Sequence, residues 1–214
     1  MTTLEFKETG DEVALDEEIV ALANAASSEM MDACELMYLA ATLKCAKLSD
    51  GDVVAEIGAF IGTTTVFTHR VLNILGNTGS PVLSIDPFER CPPDAFNPQG
   101  VYHQYQENVL KADAGSRCFP LVGFSQDVHM VVPNNLGVLI VDGDHRYEGV
   151  RNDLLLYGSK IRVGGFLFAD DYSLAAYPGV YHAFNEFMAA RPDFRVLHKA
   201  WFAIAQRVPL NRPQ

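Results

Sequence analysis

The sequence predicts an α/β protein with a doubly wound, mostly parallel sheet, helices on both faces and a closing antiparallel hairpin. Short, almost uninterrupted apolar runs alternate along the chain with segments of helical periodicity, which is typical of parallel strands covered on both faces. The chain has 214 residues, 49% of them hydrophobic, and can therefore bury one complete core. No internal repeat or linker divides it, so we expect a single domain.

The first predicted element is a helical segment near the N-terminus. Apolar residues recur at three- and four-residue steps between Asp16 and Leu48. This spacing predicts one or two helices. A polar run at 49–52 then ends the pattern.

Strands and helices alternate through the rest of the chain. Apolar runs bounded by turn residues predict five parallel strands, at 53–58, 81–85, 119–122, 138–141 and 166–169. Helical spacing predicts the helices, at 63–75, 102–112, 125–131, 147–161 and 177–190. Segments 195–197 and 202–205 predict the closing hairpin, and a Pro-rich stretch at 87–100 is the most loop-like part of the chain.

The charge balance argues against several classes of partner. The chain carries 27 Asp and Glu against 16 Lys and Arg, a formal net charge of −11, which repels phosphate backbones and anionic lipids. No apolar run approaches the roughly 20 residues that span a bilayer, and the acidic N-terminus does not resemble a signal peptide. We therefore expect a cytoplasmic protein with no nucleic-acid or membrane partner.

The turn after the first predicted strand has the pattern Glu56-x-Gly58-x-x-x-Gly62. Two glycines permit a tight turn and a close approach of a ligand to the backbone, and the threonines that follow can cap a helix. Because the pattern departs from GxGxxG, it argues against a nicotinamide dinucleotide. An ordinary strand-to-helix turn remains the alternative.

Asp86 ends the second predicted strand. A carboxylate at this position can accept hydrogen bonds from the two hydroxyls of a ribose. The alternative is a loop aspartate that caps a turn, because Pro87 follows directly. Together with the glycine turn, Asp86 predicts a nucleoside-binding edge.

Four carboxylates follow the next two strands of the predicted sheet. They are Asp142, Asp144, Asp170 and Asp171. Like charges at one sheet edge are costly unless a cation or shared protons relieve them, and Mg²⁺ prefers such oxygen ligands. Individually, these residues could instead cap helices or face solvent.

Four motifs together resemble a known family. They are ExGxxxGxTT at 56–65, IDPF at 85–88, VDGDHRYEGVRNDL at 141–154 and RVGGFLFADDY at 162–172. In these the chain resembles class I S-adenosylmethionine-dependent methyltransferases, and within them the macrocin O-methyltransferase group. The resemblance implies a Rossmann-like methyltransferase fold, S-adenosylmethionine as cofactor, and a small-molecule hydroxyl acceptor of the natural-product sugar or phenol class.

The resemblance also implies roles for individual residues. Those expected at the cofactor are Glu56, Gly58, Ala59, Gly62, Thr63, Thr64, Asp86, Phe124, Ser125 and Asp142. Those expected to bind Mg²⁺ are Asp142, Asp170 and Asp171. Asp144 is implied as the base that deprotonates the acceptor, and the neighbouring imidazole of His145 is a second candidate.

Within the domain 1–214, we expect 16–48 to act as an N-terminal helical lid and 52–206 as the cofactor-binding core. The acceptor pocket is expected between this lid, the loop at 87–105 and the segment 172–182. A homo-oligomer is possible. The alternatives are a metal-independent methyltransferase, a noncatalytic S-adenosylmethionine-binding module and, less favoured, a nicotinamide-dependent oxidoreductase.

Overall fold

The computed structural model describes residues 1–28, 30–89 and 98–210. The strands are β1 (Thr2–Phe6), β2 (Asp11–Leu15), β3 (Val53–Ile57), β4 (Val82–Asp86), β5 (Cys118–Val122), β6 (Leu136–Val141), β7 (Ile161–Ala169), β8 (Phe194–Lys199) and β9 (Ala203–Arg207). The helices are α1 (Glu17–Ala26), α2 (Ala33–Ala46), α3 (Thr63–Ile74), α4 (Pro98–Lys111), α5 (Ser125–Val128), α6 (Tyr147–Tyr157) and α7 (Pro178–Ala190). Short 3-10 turns follow α5 and α6, at His129–Val131 and Gly158–Lys160.

Seven of these strands form one sheet in the order β5-β4-β3-β6-β7-β9-β8. The first five are parallel, and β9 runs antiparallel to both β7 and β8. The predicted fold class is therefore confirmed. The direction of winding reverses between β3 and β6, and ligands of such sheets bind beyond the carboxyl ends of the strands at this point.

Alternate residues of the strands face the two layers of helices. Val54, Val138 and Phe168 belong to the core beneath α1–α4, whereas Ala55 and Leu139 belong to the core beneath α6 and α7. This division follows from the two-residue period of a strand. Both faces are apolar, so the central strands have no polar face that would expose them to water.

A β-hairpin formed by β1 and β2 precedes the helical segment and was not predicted. Half of its ten strand residues are apolar, with Phe6 and Leu15 buried in the core, and three of the others are charged. The Tyr38 hydroxyl donates to the Glu5 carbonyl at 2.9 Å, and the Lys44 ammonium donates to the Ala14 carbonyl at 2.8 Å. These bonds fasten the hairpin to α2.

Several element boundaries differ from the prediction. β7 begins at Ile161 instead of 166, because Gly164 and Gly165 form a bulge within the strand instead of a turn before it. Gly164 has φ +82°, and a Cβ on Gly165 would lie 2.8 Å from the Leu136 carbonyl oxygen. The Pro-rich loop lies partly outside the described residues, at 90–97, and its end forms the start of α4. Within the described ranges, no helix is both long and apolar enough to cross a membrane.

Candidate active site

The turn between β3 and α3 requires both of its glycines. Gly58 has φ +95°, and a Cβ there would lie 2.0 Å from the backbone carbonyl oxygen of Asp142. Gly62 has φ +81° at the N-cap of α3, and a Cβ there would lie 2.7 Å from the Tyr105 ring. The predicted cofactor residue Ala59 is buried between them. The turn is therefore packed directly against the end of β6.

The threonines that follow the turn differ in exposure. Thr63, the first residue of α3, is exposed, whereas Thr64 is buried and its hydroxyl lies 3.9 Å from the Met31 sulfur. Thr63 is thus available to a ligand from solvent. Thr64 instead joins α3 to the segment that precedes α2.

Asp86, at the end of β4, organises the loops around it. One carboxylate oxygen accepts from the Phe60 backbone N–H at 2.9 Å and the other from the Phe88 N–H at 2.5 Å. Burial raises the pKa of this carboxyl, and the two backbone bonds act in the opposite direction. A carboxylate offers about four lone-pair positions, so two remain for ribose hydroxyls.

Glu56 faces the interior of the protein. Its side chain is 1% exposed and accepts a short hydrogen bond from the Thr65 hydroxyl, which also lies 2.9 Å from the Ser84 hydroxyl. Burial raises the pKa of Glu56 to about 8. Its observed role is to join β3 to α3, and its contact with a cofactor stays a prediction.

Phe124 and Ser125 follow β5 on the other side of Asp86. The Phe124 ring is 40% exposed and can cover a planar ligand. The Ser125 hydroxyl donates a short hydrogen bond to Asp153, and its carbonyl accepts from the Tyr157 hydroxyl at 2.7 Å. Burial raises the pKa of Asp153 to about 6. Ser125 is therefore fixed by α6.

Backbone hydrogen bonds bring three predicted metal ligands to one edge. The Asp142 N–H donates to the Ile57 carbonyl at 2.9 Å, and the Asp170 N–H donates to the Val141 carbonyl at 3.0 Å. Asp171 follows with the unusual φ of +54°. Burial raises the pKa of all three carboxyls, and the negative charges of their neighbours add to this effect for Asp142 and Asp170.

His145 lies within this carboxylate group. Its Nε2 is 3.2 Å from Asp171 Oδ2 and 3.8 Å from Asp142 Oδ1, and its ring meets Tyr177 edge-on at 4.7 Å. Contact with Asp142, together with the negative charge of Asp171, raises the pKa of His145. One donor atom from each of Asp142, His145 and Asp171 lies within 4.8 Å of the other two, a spacing that suits a divalent cation.

Asp144, the other predicted catalytic residue, is engaged differently. Both of its carboxylate oxygens accept from the Arg146 guanidinium, at 2.5 to 2.9 Å. Such a forked pair engages both carboxylate oxygens with the arginine. The structure thus brings the side chains of Asp142, Asp171 and His145 together, leaves the predicted ligand Asp170 buried outside this close group, and pairs Asp144 with arginine.

Glu35 is a residue at this edge that the sequence interpretation missed. It lies in the first turn of α2 and is 4% exposed, and its negative charge helps to raise the pKa of Asp170. The Asp32-x-x-Glu35 spacing is a recognisable helix-start signal. The contact between α2 and β7 joins distant parts of the chain, so no local sequence pattern predicts it.

Residues 55–172, more than half of the chain, match the family described as a methyltransferase domain. The chain therefore belongs to this family, and it is a class I S-adenosylmethionine-dependent methyltransferase.

Solved structures share this fold. The O-methyltransferase NovP gives a TM-score of 0.62 at 21% identity and covers 83% of this chain and 82% of its own. CalS11, a TDP-rhamnose 3'-O-methyltransferase of calicheamicin biosynthesis, gives 0.61 at 14% identity, covering 91% of this chain and 96% of its own. The Podospora anserina methyltransferase PaMTH1, bound to S-adenosylhomocysteine, gives 0.62 at 13% identity, covering 91% and 89%. At these identities, the similarity establishes the fold.

A curated relative by sequence is protein R132 of Acanthamoeba polyphaga mimivirus. The two are 39% identical over 59 residues, which is 27% of this chain and 27% of the relative. The match thus spans about a quarter of the relative's length.

Proposed function

We propose that this protein transfers the methyl group of S-adenosylmethionine to a hydroxyl oxygen of a small molecule, with a divalent cation at the carboxylate group. One observation carries the proposal. The half-buried carboxylates of Asp142 and Asp171 and the His145 imidazole stand at the ends of β6 and β7, and the Asp142 backbone packs directly against Gly58 of the glycine turn. A cofactor on that turn and an acceptor beside His145 would therefore be neighbours.

The cofactor assignment draws on three features of the edge. The positive-φ backbone at Gly58 and Gly62 leaves room for the methionine part of the cofactor. Asp86 has lone pairs left for the ribose hydroxyls. The exposed Phe124 ring is suited to cover the adenine.

The acceptor hydroxyl must lose its proton for methyl transfer. The sulfonium is already a good electrophile, so the enzyme mainly has to align the oxygen and accept this proton. We assign the proton-accepting role to His145 instead of Asp144, because Asp144 is engaged by Arg146. Asp142 and Asp171 would stabilise the imidazolium that forms, as their contacts with His145 already favour its charged state.

The residues at this edge also fit a divalent cation. Asp142, Asp170 and Asp171 would hold it, and Asp170 has a buried Oδ1 for which the described residues supply no hydrogen-bond partner. When bound, such a cation would lower the pKa of an acceptor hydroxyl. We propose Mg²⁺, or Mn²⁺ in its place, because both ions prefer carboxylate oxygen ligands.

The acceptor class is proposed as a natural-product sugar or phenol. The names of NovP and CalS11 support oxygen as the accepting atom. Apolar side chains near the carboxyl edge are also exposed: Leu174 follows Asp171 in sequence, and Trp201 lies at the tip of the β8–β9 hairpin. They would suit the apolar face of a ring.

Calorimetry followed by a transfer assay tests this function. S-adenosylhomocysteine should bind at micromolar concentrations and NAD should not. Labelled methyl groups from S-adenosylmethionine should then appear in at least one member of a panel of phenols and glycosides. Turnover that survives a chelator would support the metal-independent alternative. One observation favours that alternative: His145 lies 3.2 Å from Asp171, and an imidazolium at this position can itself balance the negative charge of the carboxylates. Cofactor binding without any transfer would support a noncatalytic module.

A further inference from the structure

A polar cleft lies at the edge of the sheet opposite to the candidate active site. It is formed by the C-terminal half of α3, the turn before β4 and the turn before β5, so it stands at the amino ends of these two strands. Its volume is about 500 Å³, which suits a small molecule. Its polar lining residues are His69, Asn73, Thr78, Asp113, Ser116 and Arg117.

Two of the lining side chains are buried and form the floor of the cleft. His69 and Arg117 are each 7% exposed, whereas the other polar lining residues are exposed and form its rim. The Arg117 backbone is fixed at the start of the strands, because its carbonyl accepts from the Val82 N–H at 2.9 Å and its N–H donates to the Ala114 carbonyl at 3.0 Å. The guanidinium therefore has a defined position below the rim.

The positive charge of Arg117 has no acidic partner. Its guanidinium donates to the His69 carbonyl at 3.3 Å and to the Asn77 carbonyl at 2.5 Å. In the described ranges of the chain, Arg117 forms no ion pair with an aspartate or glutamate. Carbonyl groups near the end of a helix carry only partial negative charge, and a buried arginine normally has a full counter-charge. This buried cation therefore indicates an anionic ligand.

His69 adds a second polar group that the protein leaves unsatisfied. Its Nδ1 is buried and has no hydrogen-bond partner among the described residues, while its Nε2 lies 3.0 Å from the Asn73 side-chain nitrogen. Burial, followed by the positive charge of Arg117, lowers the pKa of His69. The imidazole is therefore neutral near pH 7, and the charge of the floor comes from Arg117.

We propose that this cleft binds a small molecule through a phosphate or carboxylate group that contacts the Arg117 guanidinium. A planar guanidinium can donate two parallel hydrogen bonds to either group, and the hydroxyls of Thr78 and Ser116 at the rim can donate others. Asp113, also at the rim, opposes a ligand of high negative charge. Because the cleft is separate from the carboxyl edge of the sheet, this ligand is neither the cofactor nor the acceptor of the proposed function.

Anion titration of the full chain tests this site. Phosphate and acetate are added at constant ionic strength, with chloride as the reference anion, and binding is measured by calorimetry and by the melting temperature. We expect at least one of them to bind and to raise the melting temperature, and the tighter of the two identifies the group that the ligand carries. Arg117→Gln should weaken its binding by about tenfold or more, because charge-assisted hydrogen bonds are lost. Arg195→Gln, an exposed position of β8 at the far edge of the sheet, is the matched control and should bind as the wild type does.

Asp113→Asn is the second variant, because Arg117→Gln also removes the bonds to the carbonyls of α3 and of the turn after it. Asparagine tolerates the φ of +54° at this exposed position, and loss of a like charge from the rim should tighten anion binding by about twofold or more. Wild-type affinity in either variant, or failure of both anions to bind the wild type, would overturn the inference. If Arg117→Gln does not fold, the Asp113→Asn affinity decides. These outcomes leave the proposed function intact, since it is measured by S-adenosylhomocysteine binding and methyl transfer.

Discussion

The backbone carbonyl oxygen of Asp142 lies 2.0 Å from the point that a Cβ on Gly58 would occupy. No side chain fits there, so the glycine turn after β3 and the first carboxylate after β6 form a single packed unit. The two halves of the site therefore hold each other in place. A change in the turn should disturb the carboxylate group, and cofactor binding should be sensitive to both.

Gly58→Ala tests this contact. Alanine would have to adopt φ +95° and displace the Asp142 backbone, so we expect the free energy of unfolding to fall by more than about 2 kcal/mol and S-adenosylhomocysteine binding to be lost. Urea denaturation measures the first effect and calorimetry the second. Gly76→Ala is the control, because Gly76 has φ +73° but no atom within 4 Å of its Cβ position, and strain alone should cost about 1 kcal/mol. Equal losses in both variants would contradict the packing argument.

Asp86→Ala should weaken the binding of S-adenosylhomocysteine by about 1 to 3 kcal/mol, because the ribose hydroxyls and the backbone amides of Phe60 and Phe88 would lose their hydrogen-bond acceptor. Asp86→Asn keeps one acceptor oxygen and should fall between the wild type and the alanine variant. Calorimetry at one ionic strength gives the three affinities. If Asp86→Ala binds S-adenosylhomocysteine with unchanged affinity, Asp86 does not bind the ribose.

His145→Ala should lower turnover by about 10² to 10⁴ while leaving S-adenosylhomocysteine affinity nearly intact. Asp144→Asn should cost less than about tenfold, because Arg146 already engages that carboxylate. His103→Ala, on the exposed side of α4, is the histidine control. If Asp144→Asn proves the more damaging variant, the base is Asp144, as the family resemblance implies.

A buried histidine outside the site makes stability depend on pH. The His198 side chain is 1% exposed, its ring lies 4.2 Å from the Tyr38 ring, and its Nδ1 accepts a hydrogen bond from the Lys7 N–H. This burial lowers the pKa of His198 to about 4. The unfolded chain, with a histidine pKa near 6.5, takes up the proton first, so this contribution to stability is complete above about pH 6.5 and is lost as the pH falls toward 4.

His198→Phe isolates this effect because phenylalanine keeps the aromatic packing and cannot be protonated. Between pH 7 and pH 5, the free energy of unfolding of the wild type should fall by about 1 to 2 kcal/mol more than that of the variant. If the free energy of unfolding, measured with urea, depends on pH in the same way in both proteins, then His198 has the same pKa in the folded and unfolded chains.

The sequence predicted the parts of the site that lie at strand ends. Asp86, Asp142, Asp170 and Asp171 follow strands whose apolar runs are unmistakable, and a parallel sheet necessarily brings such ends to one edge. The role of Gly58 was predictable for the same reason, because a turn that follows a strand at that edge packs closely against its neighbours and leaves no space for a side chain.

Other features depend on contacts between distant parts of the chain. The pairing of Asp144 with Arg146 depends on loop conformation, and the burial of Glu35 depends on how α2 packs against the sheet. The β1–β2 hairpin escaped prediction because its two strands have only five residues each, and the burial of Phe6 and Leu15 depends on the core that they contact. Gly164 and Gly165 resemble a turn in sequence and are a bulge in the sheet.

The central claim is that an acceptor oxygen receives the methyl group beside the carboxylate group. The most direct measurement is carbon-13 NMR of the products formed from S-adenosylmethionine labelled at its methyl carbon, with a panel of phenols, glycosides and amines, in the presence of Mg²⁺ or Mn²⁺. We predict a methoxy signal that disappears in Asp142→Asn and on addition of a chelator. A label found on nitrogen, or a methoxy signal of full strength in both Asp142→Asn and excess chelator, would contradict the account.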